Sequence, residues 1–364
     1  MASERNLVIE VIYAPLVGGS ETLAFALCKQ WKAQGVAVRI CCLYEKQGAL
    51  IALFEEAGIA YDLLDIGGKS WLGRWLRVAR YFWKLKPRVI HAHHLGTLVN
   101  VLVPAYITGC TYVVYTEHSS LEICKTEWMR RVIPLASRLV KKVTCVSNTL
   151  VEFFAKELGV PSNKLVAIYN GVDTTKFKPG TVSDRARSKI RIGAVGRLVE
   201  EKDYPTLLRA LALLKARGVR FEAEIIGDGP LARDLHSLAK ELQITDVLLF
   251  RGHRQDIPEL LRELDIYVLC SQSEGMPIAV LEAMATGLPV VATNVDAVPE
   301  VVKHNVNGIL VEKGDPCALA DAVQGLICDP VLRQRLGSLG LQDVGAAFSI
   351  NNTTRIYAEH LGIA

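Results

Sequence analysis

Two glutamates in the second half of the chain carry the clearest chemical signal. Glu274 and Glu282 stand eight positions apart, with a glycine, a proline and apolar residues between them. Pro277 suits the first turn of a helix, where its missing N–H costs nothing. Glu274 is therefore expected just before a helix N-terminus and Glu282 inside the helix. The free N–H groups of residues 275–278 and the helix dipole would attract an anion. The pattern indicates a binding site for a sugar that carries a nucleotide diphosphate. The alternative is a solvated helix cap with two surface glutamates.

Two cations are predicted near the same site. Arg197, within Gly196-Arg197-Leu198, follows a predicted strand, and Lys202 lies near the start of the next helix. Cations in these places can hold a diphosphate and neutralise the charge of a leaving group. Each alone could be part of a surface salt bridge, but together with Glu274 and Glu282 they favour a ligand site.

Glycine-rich turns follow two predicted strands. Gly18-Gly19 comes after the first strand and Gly227-Asp228-Gly229 after a later one. Glycine lets the backbone approach a ligand closely, but each stretch could equally be a plain tight turn. The first does not match the G-x-G-x-x-G pattern of dinucleotide-dependent oxidoreductases. Arg251 follows a further strand and is predicted to lie under a base.

Four histidines lie at the ends of two predicted strands: His91, His93, His94 and His118. The H-x-H-H spacing invites a metal site, but no nearby carboxylate has helical metal-ligand spacing and no D-x-D motif is present in the expected loop. We therefore expect no metal. His118 would contact a substrate hydroxyl, and the alternative is a hydrogen-bonded structural histidine.

Residues 68–88 form a basic, aromatic segment. They contain seven Lys and Arg, no Asp or Glu, and three tryptophans. As a helix the segment would be amphipathic, which is typical of membrane-surface helices. The residues predicted to meet an anionic membrane are Trp71, Arg74, Trp75, Arg77 and Lys84. The alternative is an ordinary helix that covers a sheet. Nucleic acid is not expected, because no recognised module accompanies the charge.

Predicted strands and helices alternate through both halves of the chain. This alternation indicates parallel sheets covered on both faces by helices, with ligands at the carboxyl ends of the strands. A turn-rich stretch between Asn170 and Asp184 marks the join. We predict an α/β protein of two doubly wound domains facing across a cleft, over residues 1–175 and 176–349. The last helix, about 350–364, would pack back on the first domain.

Length and composition agree with this organisation. A chain of 364 residues fits two domains, and with half its residues hydrophobic and 22% charged it is globular. Charged residues near the start argue against a signal peptide, and no run of 18 apolar residues predicts a spanning helix. Nine scattered cysteines indicate reduced thiols in the cytosol.

Charge is distributed unevenly along the chain. Residues 1–175 hold 20 Lys and Arg against 14 Asp and Glu, whereas residues 176–364 hold 22 against 24. The first half is therefore the basic one, and its partner is expected to be anionic.

These motifs together resemble the retaining glycosyltransferases of the GT-B fold, specifically the large family 4. The matching pieces follow in order over nearly the whole chain: Gly18–Glu21, His91–His93, Thr116–His118, Asn170–Asp173, Gly196–Leu198, Lys202, Gly227–Pro230 and the E-x7-E run from Glu274 to Glu282. The resemblance implies two Rossmann-like domains, retention of anomeric configuration and a nucleotide-diphosphate sugar as co-substrate. It also implies that neither a metal nor another cofactor takes part.

The resemblance also assigns roles to the donor-site residues. Arg197 and Lys202 would bind the donor diphosphate and stabilise the leaving group. Glu274 would hold hydroxyls of the donor sugar, and Glu282 would hydrogen-bond the ribose. The backbone of Gly275, Met276 and Pro277 would meet the phosphates.

Residues elsewhere in the chain receive roles by the same resemblance. Gly19 would approach the diphosphate from the first domain, and His118 would line the reaction centre. One departure is visible: family members often have Gly-Gly before Val-Pro-Glu, whereas Asp296-Ala297 stand here. This change removes backbone freedom beside the donor pocket and leaves the donor base or sugar open.

The acceptor is the least determined part of the prediction. We expect a UDP- or GDP-sugar donor and a lipid-linked or glycan acceptor, at the inner face of the cell membrane, in polysaccharide or glycolipid synthesis. The alternatives are the same chemistry on a soluble acceptor such as a sugar phosphate, a non-catalytic nucleotide-sugar-binding scaffold, and a sugar-nucleotide epimerase of the same fold.

Overall fold

The computed structural model of the chain describes residues 6–16, 18–44, 47–180 and 189–363, apart from the side chain of Glu122. The described residues form two compact units. Unit 1 comprises residues 1–171 together with 350–364, and unit 2 comprises residues 172–349. Among the described helices, none combines the length and the apolar character needed to cross a membrane.

Unit 1 is built on a parallel sheet of seven strands in the order β3-β2-β1-β4-β5-β6-β7. The strands are β1 Val8–Ile12, β2 Val38–Cys42, β3 Ala60–Leu63, β4 Val89–His93, β5 Val113–Glu117, β6 Lys142–Cys145 and β7 Leu165–Ala167. Most residues of the central strands are buried on both faces, as expected for a sheet covered by helices on each side.

Among the described residues, seven α-helices connect these strands, and an eighth returns to unit 1 after unit 2. They are α1 Gly19–Ala33, α2 Leu50–Glu56, α3 Trp71–Leu85, α4 Leu95–Ile107, α5 Leu121–Lys125, α6 Glu127–Leu139, α7 Asn148–Lys156 and the C-terminal α15 Ile350–Leu361. A 3-10 helix spans Ser162–Lys164. The apolar side of α15 enters the core of unit 1: Tyr357 and Leu361 are fully buried, and the Trp31 indole N–H donates to the Thr354 carbonyl at 3.3 Å.

Unit 2 has a parallel sheet of six strands in the order β10-β9-β8-β11-β12-β13. The strands are β8 Ile190–Val195, β9 Phe221–Ile226, β10 Leu248–Gly252, β11 Ile266–Leu269, β12 Val290–Thr293 and β13 Ile309–Val311. Their connections are a 3-10 helix over Glu200–Lys202 and the helices α8 Tyr204–Ala216, α9 Ala232–Glu241, α10 Ile257–Arg262, α11 Ile278–Ala285, α12 Val298–Val301, α13 Pro316–Cys328 and α14 Pro330–Ala347.

Each sheet reverses its strand order at one place. In unit 1 the reversal lies between β1 and β4, and in unit 2 between β8 and β11. The loops that leave neighbouring strands at such a point run to opposite faces of the sheet, which opens a crevice for a ligand. The candidate residues of both units therefore have to be sought at these two points.

Apolar runs in the sequence predict the strands β1, β2, β4 to β6 and β8 to β13, and all of these are present, with ends that differ by a few residues. Two further strands, β3 and β7, escape the sequence patterns. Both lie at the edges of the unit 1 sheet, where a strand is half-exposed and needs no continuous apolar run. All nine cysteines are free thiols, and six of them are buried.

Candidate functional site

The first cluster lies at the order reversal of unit 2, where Glu274 accepts two hydrogen bonds. Its Oε1 receives one from the Lys202 ammonium at 2.5 Å and one from the Ser271 hydroxyl at 2.6 Å. Glu274 is 8% exposed, so its charge is compensated by these two donors rather than by water. The structure thus joins two residues that stand 72 positions apart in the sequence.

Backbone contacts hold Lys202 in this position. It ends the 3-10 helix that follows β8, and its carbonyl accepts a hydrogen bond from the Cys270 thiol at 3.1 Å. The neighbouring Glu201 carbonyl accepts from the Gln272 N–H at 2.8 Å. These bonds tie the turn after β8 to the end of β11. An ammonium has three N–H donors, so the bond to Glu274 leaves two for a phosphate.

Asp296 fixes the loop that carries Glu274. Its Oδ2 accepts hydrogen bonds from the Ser273 hydroxyl at 2.5 Å and from the Glu274 N–H at 2.8 Å. Its own backbone has φ +40°, in the left-handed region that favours glycine. The position where relatives often carry glycine therefore keeps a glycine-like backbone here, and the aspartate side chain adds two bonds that glycine lacks.

The entrance to α11 differs from the expected helix start. The helix begins at Ile278, and Pro277 caps it instead of forming its first turn. The Ile278 N–H donates to the Met276 carbonyl at 2.9 Å, and proline has no N–H. Of the four expected anion-binding N–H groups, those of Gly275 and Met276 are the two that donate to no described residue. The phosphate site expected here therefore has two backbone N–H donors instead of four.

Glu282 lies inside α11 and is partly buried. Burial raises the pKa of its carboxyl to about 7, although the charge of Lys176 acts in the opposite direction. Close to neutral pH this group is therefore a mixture of carboxylic acid and carboxylate. In its acid form it can both donate and accept a hydrogen bond, which suits a hydroxyl partner.

The glycine turn of unit 2 packs closely against a neighbouring loop, which fits the tight-turn alternative. Gly227 has φ +145°, and a Cβ there would lie 1.9 Å from the Gly196 carbonyl oxygen. A Cβ on Gly229 would lie 2.5 Å from the Leu198 carbonyl oxygen. The Leu198 N–H also donates to the Asp228 carbonyl at 3.0 Å. The close backbone approach that these glycines permit is between two loops of the protein.

The two other cations that the sequence predicts for this site, Arg197 and Arg251, differ in whether their side chains are already paired. The Arg197 side chain is exposed and forms no ion pair with any residue that the structure describes. Arg251 lies within β10, and its guanidinium makes two hydrogen bonds to the Glu224 carboxylate, at 2.9 and 3.0 Å. Arg251 is thus engaged by a buried carboxylate that the sequence did not point to, and we do not include it in the donor site.

The second cluster lies at the order reversal of unit 1 and centres on Glu10, a fully buried carboxylate in β1. One oxygen lies 2.9 Å from Nδ1 of His91 and the other 2.6 Å from Nε2 of His93. Nδ1 of His93 lies 3.0 Å from Nε2 of His118, which follows β5. His118 is partly exposed, whereas His91 and His93 are fully buried.

Glu10, His91 and His93 offer three metal-ligand atoms within 4.8 Å of one another. Both carboxylate oxygens, however, are at hydrogen-bond distance from the imidazole nitrogens that face them, so a proton lies on each line. A cation that bound there would have to displace both bonds. We interpret the group as a hydrogen-bond network. Sequence spacing missed Glu10 because it lies on a different strand, although it is the one charged residue of the apolar run VIEVI.

His94 has hydrogen-bond partners that differ from those of the other three histidines. Its Nδ1 lies 3.0 Å from Glu117 and its Nε2 lies 2.9 Å from the Ser20 hydroxyl, which itself donates to Glu21 at 2.7 Å. Burial lowers the pKa of His94, but the hydrogen bond and charge of Glu117 outweigh it, so the pKa is raised. His94 also has a backbone φ of +67°, a positive value that residues other than glycine rarely adopt.

The remaining residues expected from the sequence lie in α1 and α3. Gly19 is exposed in the first turn of α1. In α3, Trp71, Arg77 and Lys84 are exposed, but Trp75 and Arg74 turn toward the protein. The Trp75 indole N–H donates to the Val99 carbonyl at 3.1 Å, and the Arg74 guanidinium lies 5.8 Å from the centre of the Tyr44 ring.

Two aromatic residues near the same edge of unit 1 were not expected. The Tyr13 and Tyr44 rings, just after β1 and β2, stack with their centres 4.3 Å apart, and Tyr13 is 48% exposed. The Tyr44 hydroxyl accepts a hydrogen bond from Asn100 at 2.9 Å. A single tyrosine after a strand gives no signal in one sequence, and only the adjacency of β1 and β2 reveals the pair.

Comparison with known proteins identifies the family. The model described as Glycosyltransferase Family 4 matches residues 17–176, and the model described as Glycosyl transferases group 1 matches residues 182–342. The UDP-Gal:alpha-D-GlcNAc-diphosphoundecaprenol alpha-1,3-galactosyltransferase of Escherichia coli is 31% identical over 265 residues, which are 68% of this chain and 68% of that protein. The chain belongs to the family 4 glycosyltransferases.

Two further proteins are similar over more of this glycosyltransferase. The GDP-mannose-dependent alpha-(1-6)-phosphatidylinositol monomannoside mannosyltransferase of Mycobacterium tuberculosis is 28% identical, over 71% of this chain and 74% of its own. The crystal structure of Anabaena HepE in complex with UDP and glucose has a TM-score of 0.88 at 23% identity, and covers 99% of this chain and 100% of that one. The GT-B fold expected from the sequence is thus confirmed.

Proposed function

We propose that this glycosyltransferase moves a hexosyl unit from a UDP- or GDP-sugar to a lipid-linked or glycan acceptor, at the inner face of the cell membrane. The observation that carries the proposal is the Lys202–Glu274 pair at the order reversal of the unit 2 sheet. One member is suited to a phosphate and the other to sugar hydroxyls. The reaction would serve polysaccharide or glycolipid synthesis.

The donor would bind by charge and by hydrogen bonds. Lys202 keeps two N–H donors for phosphate oxygens, and the exposed Arg197 can offer its planar fork to the same group. The backbone N–H groups of Gly275 and Met276 would add two neutral donors. Glu282 would meet the ribose, because its acid form can donate to one oxygen and its carbonyl can accept from a hydroxyl.

The chemistry would proceed with retention and without a metal. Arg197 and Lys202 would stabilise the negative charge that develops on the departing diphosphate, the task that a metal performs in other transferases. No carboxylate nucleophile is evident from the sequence, so we propose a front-face substitution. In that step the leaving phosphate accepts the proton of the attacking hydroxyl. His118 would hydrogen-bond a hydroxyl of the substrate.

A basic, apolar surface of unit 1 supports membrane contact. Trp71 is 63% and Trp83 71% exposed on α3, and α3 packs on α4. Helix α6, which also contacts α4, presents Trp128 and Leu135, which are 48% and 62% exposed. Exposed basic side chains accompany them on both helices: Arg77, Lys84, Arg131 and Arg138. Exposed tryptophans next to arginine and lysine fit an anionic lipid interface.

The names of the relatives support the choice of substrates. The Escherichia coli relative is named for UDP-Gal and a diphosphoundecaprenol-linked sugar, and the mycobacterial relative for GDP-mannose and phosphatidylinositol monomannoside. Both acceptors are lipids. The two donors carry different bases, so the base and the sugar have to be found by experiment.

Donor turnover tests the role of Glu274. The assay is release of nucleoside diphosphate from a panel of UDP- and GDP-sugars, with a diphosphate-linked lipid acceptor. We expect Glu274→Ala to lower kcat by at least about 100-fold, since the sugar loses a positioned partner. The exposed Glu241 of the same unit provides the matched control Glu241→Ala, which should retain activity. Full turnover by a folded Glu274→Ala variant would overturn the donor assignment.

Vesicle sedimentation tests the membrane surface. The protein should pellet with vesicles that contain phosphatidylglycerol and stay in solution with phosphatidylcholine alone. The double variant Trp71→Ala/Trp83→Ala should release it. Val331→Ala, which removes an apolar residue 76% exposed in unit 2, is the matched control. Equal recovery in both supernatants, together with transfer to a free sugar phosphate, would favour a soluble acceptor.

A further inference from the structure

A buried carboxylate organises the histidines of unit 1. Glu10 has no exposed surface, and both of its oxygens face imidazole nitrogens. Although burial raises the pKa of Glu10, the charge of His91 and hydrogen bonds from both histidines lower it to about 2. Glu10 is thus a carboxylate and can only accept hydrogen bonds. His91 must direct a proton on Nδ1 toward it, and His93 a proton on Nε2.

This requirement propagates to His118. Burial lowers the pKa of His93 to about 4, so at neutral pH it carries one proton, on the Nε2 that faces Glu10. Its Nδ1 is then an acceptor. The contact of 3.0 Å between His93 Nδ1 and His118 Nε2 is a hydrogen bond only if His118 supplies the proton. His118 therefore carries its proton on Nε2.

We propose that Glu10 and His93 are positioning residues for the transfer reaction proposed above. They hold His118 with its proton on Nε2 and leave Nδ1 as a hydrogen-bond acceptor for a substrate hydroxyl. Nδ1 of His118 bonds to no residue that the structure describes. The relay Glu10–His93–His118 sets the orientation of the ring as well as the position of its proton.

The surroundings keep His118 neutral. Burial lowers its pKa, and so does the proximity of three other histidines that would repel a second proton: His94, His93 and His91. The His94 ring lies beside it, with ring centres 4.7 Å apart, and its two nitrogens face Glu117 on one side and the Ser20 hydroxyl on the other. A histidine whose pKa is raised beside one whose pKa is lowered is a division typical of active sites.

The first experiment needs no substitution. Long-range proton–nitrogen correlation spectra of the full chain, labelled at histidine, distinguish protonated from unprotonated ring nitrogens. His118→Gln assigns the signal among the eight histidines. We expect His118 with protonated Nε2 and unprotonated Nδ1 at neutral pH. A His118 with its proton on Nδ1, an average of the two tautomers, or an imidazolium would overturn the proposal.

The second experiment compares two equally buried histidines. His93→Phe breaks the relay to His118, whereas His91→Phe removes the other partner of Glu10, which bonds to Thr116 at 2.6 Å and not to His118. We expect His93→Phe to mix the tautomers of His118 and to lower kcat by about 10- to 100-fold, with KM for the donor little changed. His91→Phe should leave the tautomer unchanged.

The outcomes separate this proposal from the proposed function. If both variants shift the His118 signal equally, Glu10 supports the fold only and the relay is disproved. If neither variant folds, the spectrum of the unsubstituted protein still decides. A correct tautomer in a protein that shows no donor turnover would overturn the proposed function and leave the relay in place.

Discussion

The burial of Glu282 raises its pKa and makes the stability of unit 2 depend on pH. Its pKa is raised to about 7 because ionisation would place a negative charge where little water can solvate it. The native protein therefore binds more protons than the unfolded chain between about pH 4.5 and pH 7. Stability attributable to this group falls as the pH rises through that window and stays constant above it.

Glu282→Gln should remove this dependence. An amide imitates the protonated acid and does not ionise, so we expect the variant to match the parent near pH 4.5 and to exceed it in free energy of unfolding by on the order of 3 kcal/mol at about pH 8. Hydrogen exchange of α11 and its neighbours across the pH range measures this difference.

The matched control for that measurement is Glu241→Gln, which replaces an exposed glutamate of the same unit. It should leave the pH dependence of exchange unchanged. A parent protein whose unit 2 gains stability from pH 5 to pH 8 would contradict the raised pKa of Glu282.

At the scale of elements, the loops after β8 and β9 depend on glycine. Gly227 combines φ +145° with an approach of 1.9 Å between its hypothetical Cβ and the Gly196 oxygen. The loop after β8 carries Arg197 and leads into Lys202, so its packing against the loop after β9 positions both cations. In the proposed function, the glycine would support donor binding indirectly, through the backbone of the neighbouring loop.

Gly227→Ala should therefore destabilise unit 2 by about 2–4 kcal/mol, since both the backbone conformation and the neighbouring loop have to change. Gly325→Ala is the matched control: that glycine lies inside α13, and nothing stands within 4 Å of its Cβ position. This control should be neutral or stabilising by up to about 1 kcal/mol. Thermal unfolding of the variants, together with hydrogen exchange of β8 and β9, tests both expectations; an unaffected Gly227→Ala protein would contradict the packing role.

At the scale of the whole molecule, the chain leaves unit 1 at residue 171 and returns to it at residue 350. The returning helix α15 completes the core of unit 1, with Tyr357 fully buried and its ring centre 5.3 Å from that of His91. The first unit is therefore finished only after the second has been made, and the histidine network depends on the last residues of the chain.

Tyr357→Ala should lower the stability of unit 1 by about 3–5 kcal/mol, because it leaves a large cavity under the sheet. All five tryptophans lie in residues 1–175, so tryptophan fluorescence during denaturant unfolding reports on unit 1 alone. Arg355→Ala, on the exposed side of α15, should change the stability of unit 1 by less than about 0.5 kcal/mol. Similar midpoints for Tyr357→Ala and the parent would show that α15 is not part of that core.

The alternation of strands and helices, the family and the polar residues proposed for the donor site came from the sequence itself. Apolar runs that alternate with amphipathic segments allow few folds other than parallel α/β. The spacing of Glu274 and Glu282 can be recognised in a single sequence because both residues belong to one local loop and helix. Short edge strands such as β3 were missed, because they bury little and so need no apolar pattern.

Only the tertiary structure decided which of these residues meet. Pairing of distant strands brings Glu10 to His93 and Lys202 to Glu274, and it engages Arg251 with Glu224. It also turns Trp75 inward and sets the glycines of one loop against the backbone of another. Sequence periodicity reports which face of an element is buried, but the partner across the sheet depends on strand order and register, which are properties of the folded chain.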